Sequence, residues 1–107
     1  MIQLHPLELK TWLEHPARKQ PILVDVRETW EYQYCHIEGS LLIPLGQIPE
    51  RLTELDPEAE IVMICHHGVR SYRAGLFLMQ AGFTSVYNLQ GGVEAWARDA
   101  DPTMRKY

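Results

Sequence analysis

Apolar residues along this chain fall into short continuous runs, separated by longer stretches in which they recur at helical spacing. Ile61-Val62-Met63-Ile64 is an unbroken run of the kind found in strands covered on both faces. Ile2–Leu4, Ile22–Val26, Leu41–Ile43 and Ser85–Leu89 read as four further strands. Between them the period changes. Pro6 suits a first helical turn, Leu9, Trp12 and Leu13 share one face, and Pro16 ends the segment. Glu28 to Tyr34 has helix-forming composition, with Trp30 and Tyr34 at i, i+4 as expected core aromatics. Pro44 to Asp56 holds an amphipathic helix carrying Ile48, Leu52 and Leu55, stopped by Pro57. Ser71 to Ala81 has almost no polar side and predicts a well-buried helix closed by Gly82. Val93, Trp96 and Ala97 form the apolar face of a last helix after Gly91-Gly92. Strands alternating with helices predict an α/β domain with a mainly parallel sheet and helices on both faces.

Length and charge narrow the choice of function. At 107 residues the chain is one domain by length, able to bury about 60 to 70% of its unfolded surface without a disulfide or structural metal. A formal net charge of -4 argues against nucleic acid, which selects a basic face. No apolar run approaches a membrane span, and Met1 to Pro6 lacks the basic and apolar regions of a secretory signal, so a cytoplasmic location is expected. In that reducing setting the two cysteines are expected to be free. Asp99 to Tyr107 is polar, contains Pro102 and reads as a surface tail of unassigned function.

The chemistry concentrates in Cys65-His66-His67-Gly68-Val69-Arg70-Ser71, where the apolar strand gives way to a loop and then a helix. Loop amides turned inward, together with the positive end of a helix dipole, form a pocket for negative charge. Such a pocket favours the thiolate, the nucleophilic form of cysteine. Gly68 allows tight closure of the loop, and Arg70 brings a permanent cation with a planar fork suited to an oxyanion. The alternative is a buried structural cysteine at a strand end. Asp25 is a carboxylate inside an aliphatic strand and needs a partner, with Arg27 two residues away. Adjacent histidines on a tight loop seldom face one ion, so His66 and His67 do not indicate a metal.

The Cys65 to Ser71 loop resembles the active-site loop of the rhodanese sulfurtransferases. Further resemblances are Asp25-Val26-Arg27, His36-Ile37-Glu38-Gly39-Ser40 and Asn88-Leu89-Gln90-Gly91-Gly92-Val93-Glu94-Ala95-Trp96, in the family's order. Ser40 departs mildly from the alanine usual there. The resemblance covers almost the whole chain and implies a single rhodanese domain over residues 1–107, three-layered, with a five-stranded sheet. Four residues separate Cys65 from Arg70, whereas related dual-specificity phosphatases have five; this counts against a phosphatase or arsenate reductase.

The implied activity is sulfur transfer without a cofactor. Cys65 would take sulfur from thiosulfate or a protein persulfide and hand it to a thiol or, in an assay, to cyanide. His66, His67, Gly68, Val69, Arg70 and Ser71 would line the substrate site through their backbone N–H groups, with Arg70 either binding the donor's oxyanion or shaping the loop. Asp25 and Arg27 would support the loop, or else form a strand-end ion pair with no part in the chemistry. His36 is expected to be structural, and Cys35 either a resolving thiol or a plain buried one. A non-enzymatic binding module and a persulfide carrier remain as alternatives.

Overall fold

The computed structural model describes residues 1–107. Five strands form one parallel sheet: β1 (Ile2–Leu4), β2 (Ile22–Asp25), β3 (Leu41–Leu42), β4 (Ile61–Ile64) and β5 (Val86–Leu89), in the spatial order β1-β5-β4-β2-β3. β4 is central, with Met63 registered between Val24 of β2 and Asn88 of β5. The apolar run that marked β4 is buried throughout, because helices cover both of its sides.

Strand parity divides the core in two. Ile61 and Met63 point with Val24, Val26 and Val86 toward one face, against Ala74 and Leu78 of α4 (Val69–Gln80) and against Ile48 and Leu55. Val62 and Ile64 point with Leu4, Leu23 and Leu89 to the other, against Leu9 and Trp12 of α1 (Pro6–Glu14) and Val93 and Trp96 of α5 (Gly92–Asp99). Cys65 continues the Ile61, Met63 alternation and so points toward α4. The remaining helices are α2 (Thr29–Tyr34) and the single turn α3 (Ile48–Arg51).

Local signals account for the helix ends. α1 starts with Pro6 at its first position and a capping box in which the His5 ring accepts from Leu7 N–H while Glu8 accepts from His5 N–H. α4 ends where Phe83 N–H returns to the Leu78 carbonyl across Gly82.

Three expectations need correction. The helix in residues 44–56 is broken into a 3-10 turn at Leu45–Gln47, α3, and a second 3-10 turn at Leu52–Glu54, because Gly46 and Pro49 interrupt regular bonding; Ile48 and Leu55 are nevertheless buried. α4 is not deeply buried. Ser71, Ala74, Gly75 and Leu78 face the sheet, and these small residues let the helix sit close, leaving Val69, Tyr72, Leu76 and Met79 exposed. Trp30 and Tyr34 are not core residues either: Trp30 is 61% exposed, and both rings meet Tyr107 edge-on.

Candidate functional site

The backbone after β4 reverses sharply before α4. Val93 N–H donates to the Cys65 carbonyl at 2.8 Å and Glu94 N–H to the His66 carbonyl at 3.2 Å. The start of α5 therefore holds the outer side of the loop by its carbonyls. Gly92 makes this approach possible: a Cβ there would lie 2.3 Å from the His66 oxygen and 2.4 Å from the Cys65 oxygen. Gly68 then takes φ +100° and caps α4 from a left-handed conformation.

With its carbonyls turned toward α5, the loop turns an amide toward the sulfur. Gly68 N–H donates to Cys65 Sγ at 3.0 Å, and Ser71 Oγ lies 3.2 Å from the same atom. Cys65 is only 1% exposed. Val69, Arg70 and Ser71 occupy the first turn of α4, where backbone N–H groups have no acceptor within the helix. Of the expected loop residues, Gly68 and Ser71 thus touch the Cys65 sulfur, with Val69 and Arg70 between them in the first turn of α4. Behind it, Ser71 Oγ contacts Asn88 Oδ1 at 2.5 Å, and Asn88 Nδ2 donates to the Gly68 carbonyl and to Gln3 Oε1, each at 3.1 Å.

His66 and His67 are placed differently. Their rings stack on each other, and His66 also stacks on Tyr107 at 4.0 Å between centroids. Burial lowers the His66 pKa, and the neighbouring His67 adds to the effect. His67 turns outward to Glu94 at 3.0 Å. It also borders an open groove of about 470 Å³, which includes Gly68, Val69 and Asn88 in its lining but not Cys65.

Arg70 is held in an ion pair with Glu31 of α2. Its two terminal nitrogens meet the two Glu31 carboxylate oxygens at 2.7 and 2.9 Å. That hydrogen-bonded pair lowers the Glu31 pKa to about 2 against the cost of burial, with help from Glu28 N–H and the Tyr107 hydroxyl; it raises the Arg70 pKa. Tyr107 links this pair to a second one. Its hydroxyl donates to Glu31 Oε2 at 2.7 Å and accepts from Arg27 Nη1 at 2.8 Å. Burial, opposed by the bond from Arg27 and aided by the one to Glu31, pushes the Tyr107 pKa up to about 12.

Asp25 and Arg27 are both fully buried and joined by three side-chain contacts of 2.8 to 3.1 Å, with Arg27 also donating to the Cys35 carbonyl. Burial works against the Arg27 charge, but the bonds to Asp25 and Tyr107 outweigh it and raise its pKa. Arg27 connects to Arg70 through Glu31, which it reaches both directly, Nη1 donating to the Glu31 carbonyl at 3.4 Å, and by way of the Tyr107 hydroxyl. His36 stays outside, stacked on Tyr32 with Nδ1 against the Tyr32 carbonyl. Cys35 is free and half-buried rather than buried, with its sulfur 3.9 Å from Arg27 Nη1.

Four residues around the site carried no assigned role in the sequence: Gln3, Glu31, Tyr107 and Asn88, the last named only within the resembling motif. Asn88 carried a usable signal, since it is a polar side chain inside the strand Val86–Leu89, as Asp25 is in β2. Glu31 stood at the third position of a helix that opens with Glu28, a capping arrangement that hides its second role. For Tyr107 the only hint was an aromatic in a polar tail.

Residues 6–99 match the family described as Rhodanese-like domain. The chain is 41% identical over 83 residues to a sulfurtransferase of Allochromatium vinosum, covering 78% of each. It is 38% identical over 104 residues to a probable adenylyltransferase/sulfurtransferase, MoeZ, of Mycobacterium tuberculosis, covering 95% of this chain but about a quarter (26%) of that longer protein. The crystal structure of a rhodanese-like domain protein from Staphylococcus aureus superposes with a TM-score of 0.84 at 29% identity, covering 100% of this chain and 99% of that one. The matched span, these relatives and the shared parallel sheet agree: the chain belongs to the rhodanese-like domain family.

Proposed function

We propose that this protein is a sulfurtransferase that carries sulfane sulfur as a Cys65 persulfide. The observation that carries the reading is the Cys65 sulfur at the carboxyl end of the central strand, bonded by Gly68 N–H at 3.0 Å and followed at once by the N-terminus of a twelve-residue helix. Ligands of open parallel sheets sit at that end of the strands, and inward N–H groups favour a thiolate or persulfide anion there.

The chemistry is a double displacement. The Cys65 thiolate attacks the outer sulfur of thiosulfate, the S–S bond breaks, and sulfite leaves with the bonding electrons. The terminal persulfide anion occupies the cradle of Gly68, Val69, Arg70 and Ser71 amides. A thiol, as its thiolate, or cyanide then attacks the outer sulfur and returns Cys65 as the thiolate. Asp25 and Arg27 act at a distance, as the buried anchor of the network that ends on Arg70.

A second reading of the donor follows from Arg70. Both of its terminal nitrogens are engaged by Glu31, which supports a loop-shaping role and leaves a thiosulfate oxyanion without that cation. A persulfide on another protein or small thiol needs no such partner. Two free cysteines support a reducing, cytoplasmic setting for either donor.

Intact-protein mass spectrometry tests both readings. Incubation with thiosulfate or with a glutathione persulfide, then cyanide, is expected to add and then remove one sulfur atom, in wild type and in Cys35→Ser but not in Cys65→Ser. Loading from the persulfide alone would favour the carrier. Sulfur retained by Cys65→Ser would reject the assignment of the nucleophile.

A further inference from the structure

We propose that Asn88 is a positioning residue for Cys65, whose amide oxygen competes with the Cys65 sulfur for the single hydroxyl proton of Ser71. The proposal rests on Cys65 being the nucleophile and adds a residue that acts through another side chain.

Orientation fixes the roles. The Gly68 carbonyl can only accept, so the Asn88 group 3.1 Å from it is the NH2, which also donates to Gln3 Oε1. The amide oxygen must therefore face Ser71, where it lies 2.5 Å from Oγ and can only accept. Asn88 is held in this orientation by the register of the sheet, between Gln3 of β1 and Met63 of β4. Ser71 and Asn88 are both almost completely buried, so no bulk water replaces a missing partner.

A hydroxyl has one proton and Ser71 has two claimants for it. While Cys65 is a thiol, the chain is complete: S–H donates to Ser71 Oγ, and Ser71 O–H donates to Asn88 Oδ1. A thiolate has only lone pairs to offer. Its best arrangement turns the Ser71 O–H toward sulfur at 3.2 Å, beside the Gly68 N–H, and leaves Asn88 Oδ1 without its donor. The step is a rotation about the Ser71 Cβ–Oγ bond; no bond to hydrogen breaks in Ser71. Asn88 thus does two opposed things: its NH2 braces the loop and its oxygen restrains the hydroxyl that would stabilise the anion.

The charged and titratable groups near Cys65 stand outside this neutral chain. Arg70 on α4 acts on Cys65 electrostatically, and His66 follows it in the loop, itself surrounded by His67, Glu94, Glu31 and Arg27. Ser71→Ala serves to separate their titration from the effect of the hydroxyl.

Iodoacetamide alkylation of Cys65 in the Cys35→Ser background needs no sulfur donor, so it answers separately from the transfer reading. Competition predicts that Ser71→Ala slows alkylation at pH 7 about threefold when Asn88 is present and about tenfold or more in Asn88→Ala, where the hydroxyl belongs to sulfur alone. Equal factors, or a smaller one in Asn88→Ala, would overturn the proposal. The folded Cys35→Ser protein gives an independent check should the double variant not fold. Its Asn88 Cγ resonance is expected to move together with Cys65 Cβ as pH is raised, and to stay fixed in Ser71→Ala. An Asn88 resonance that ignores ionisation of Cys65 would equally reject the idea.

Discussion

The two sides of the Cys65 loop are built from opposite materials. On the sheet side, Ser71, Asn88 and Gln3 form a neutral, mostly buried chain of hydrogen bonds ending on the sulfur. On the α2 side, Asp25, Arg27, Tyr107, Glu31 and Arg70 form a charged chain that runs from a fully buried pair out to the half-exposed Arg70. The two sides divide the labour. Neutral groups in a buried place set geometry and respond little to salt or acid, whereas the charged chain closes the loop against its neighbours and depends on both.

The frame shared by both sides should show the largest effect. Gly92→Ala puts a methyl group into the Cys65 and His66 carbonyl oxygens at a residue with φ +64°, and those oxygens are backbone atoms that cannot swing aside. The expected cost is about 4 kcal/mol or more, read as a shifted urea midpoint or as failure to fold. A cost below about 1 kcal/mol would mean that α5 does not hold the loop.

Acid separates the two sides next. The folded Glu31 carboxyl, with its pKa near 2, binds a proton less readily than the unfolded one near 4.5. As pH falls through that window the unfolded chain takes up the extra proton, so stability is fully present above about pH 4.5 and is lost toward pH 2. The shift corresponds to about 3 kcal/mol at most. Urea midpoints at pH 6 and pH 3 should therefore fall further apart in wild type than in Glu31→Gln. Identical pH dependence in the two proteins would remove Glu31 from the charged chain.

What the sequence could reveal follows the same division. Strands β2, β4 and β5 were legible because their burial leaves apolar runs, continuous in β4 and broken by one polar residue in β2 and β5, and the Cys65 loop was legible because it has a local form. Asp25 stood out as a charge among aliphatics; Asn88, equally misplaced in Val86–Leu89, would have yielded to the same argument. The outer chain was different. Glu31 and Arg70 are 39 residues apart and Arg27 and Tyr107 are 80, so their meeting depends on how α2, α4 and the last residues pack. Nor did apolar content alone indicate which face of α4 is buried, because small Ser71, Ala74 and Gly75 took the sheet side. Trp30 and Tyr34 looked like core for the same reason: nothing local says that they receive Tyr107 at the surface.

Tyr107 offers a smaller break within the charged chain. Tyr107→Phe keeps the ring stacked on His66 but removes the hydroxyl between Arg27 and Glu31. Since Asp25 still holds Arg27 and Arg70 still holds Glu31, the expected loss is about 1 to 2 kcal/mol by urea denaturation. Tyr107→Ala should lose more, by removing the stacking as well. Equal stability of the Phe and Ala variants would show that the ring contributes nothing.

The smallest effect belongs to a second pair on the same loop. His67 and Glu94 approach to 3.0 Å, much like Arg70 and Glu31 at 2.7 Å, but their side chains are 57% and 49% exposed, against 35% and 6% for the other pair. Distance alone would make the two pairs alike. Water screens an exposed pair and competes for both partners, while the Glu31 carboxylate has traded water for Arg70, Tyr107 and Glu28 N–H. His67→Gln should then change stability by no more than about 0.5 kcal/mol, with no added dependence on salt between low and high ionic strength. A loss above about 1 kcal/mol that disappears in high salt would show that His67 belongs to the charged chain, and that burial rather than contact distance had been the wrong criterion for drawing its boundary.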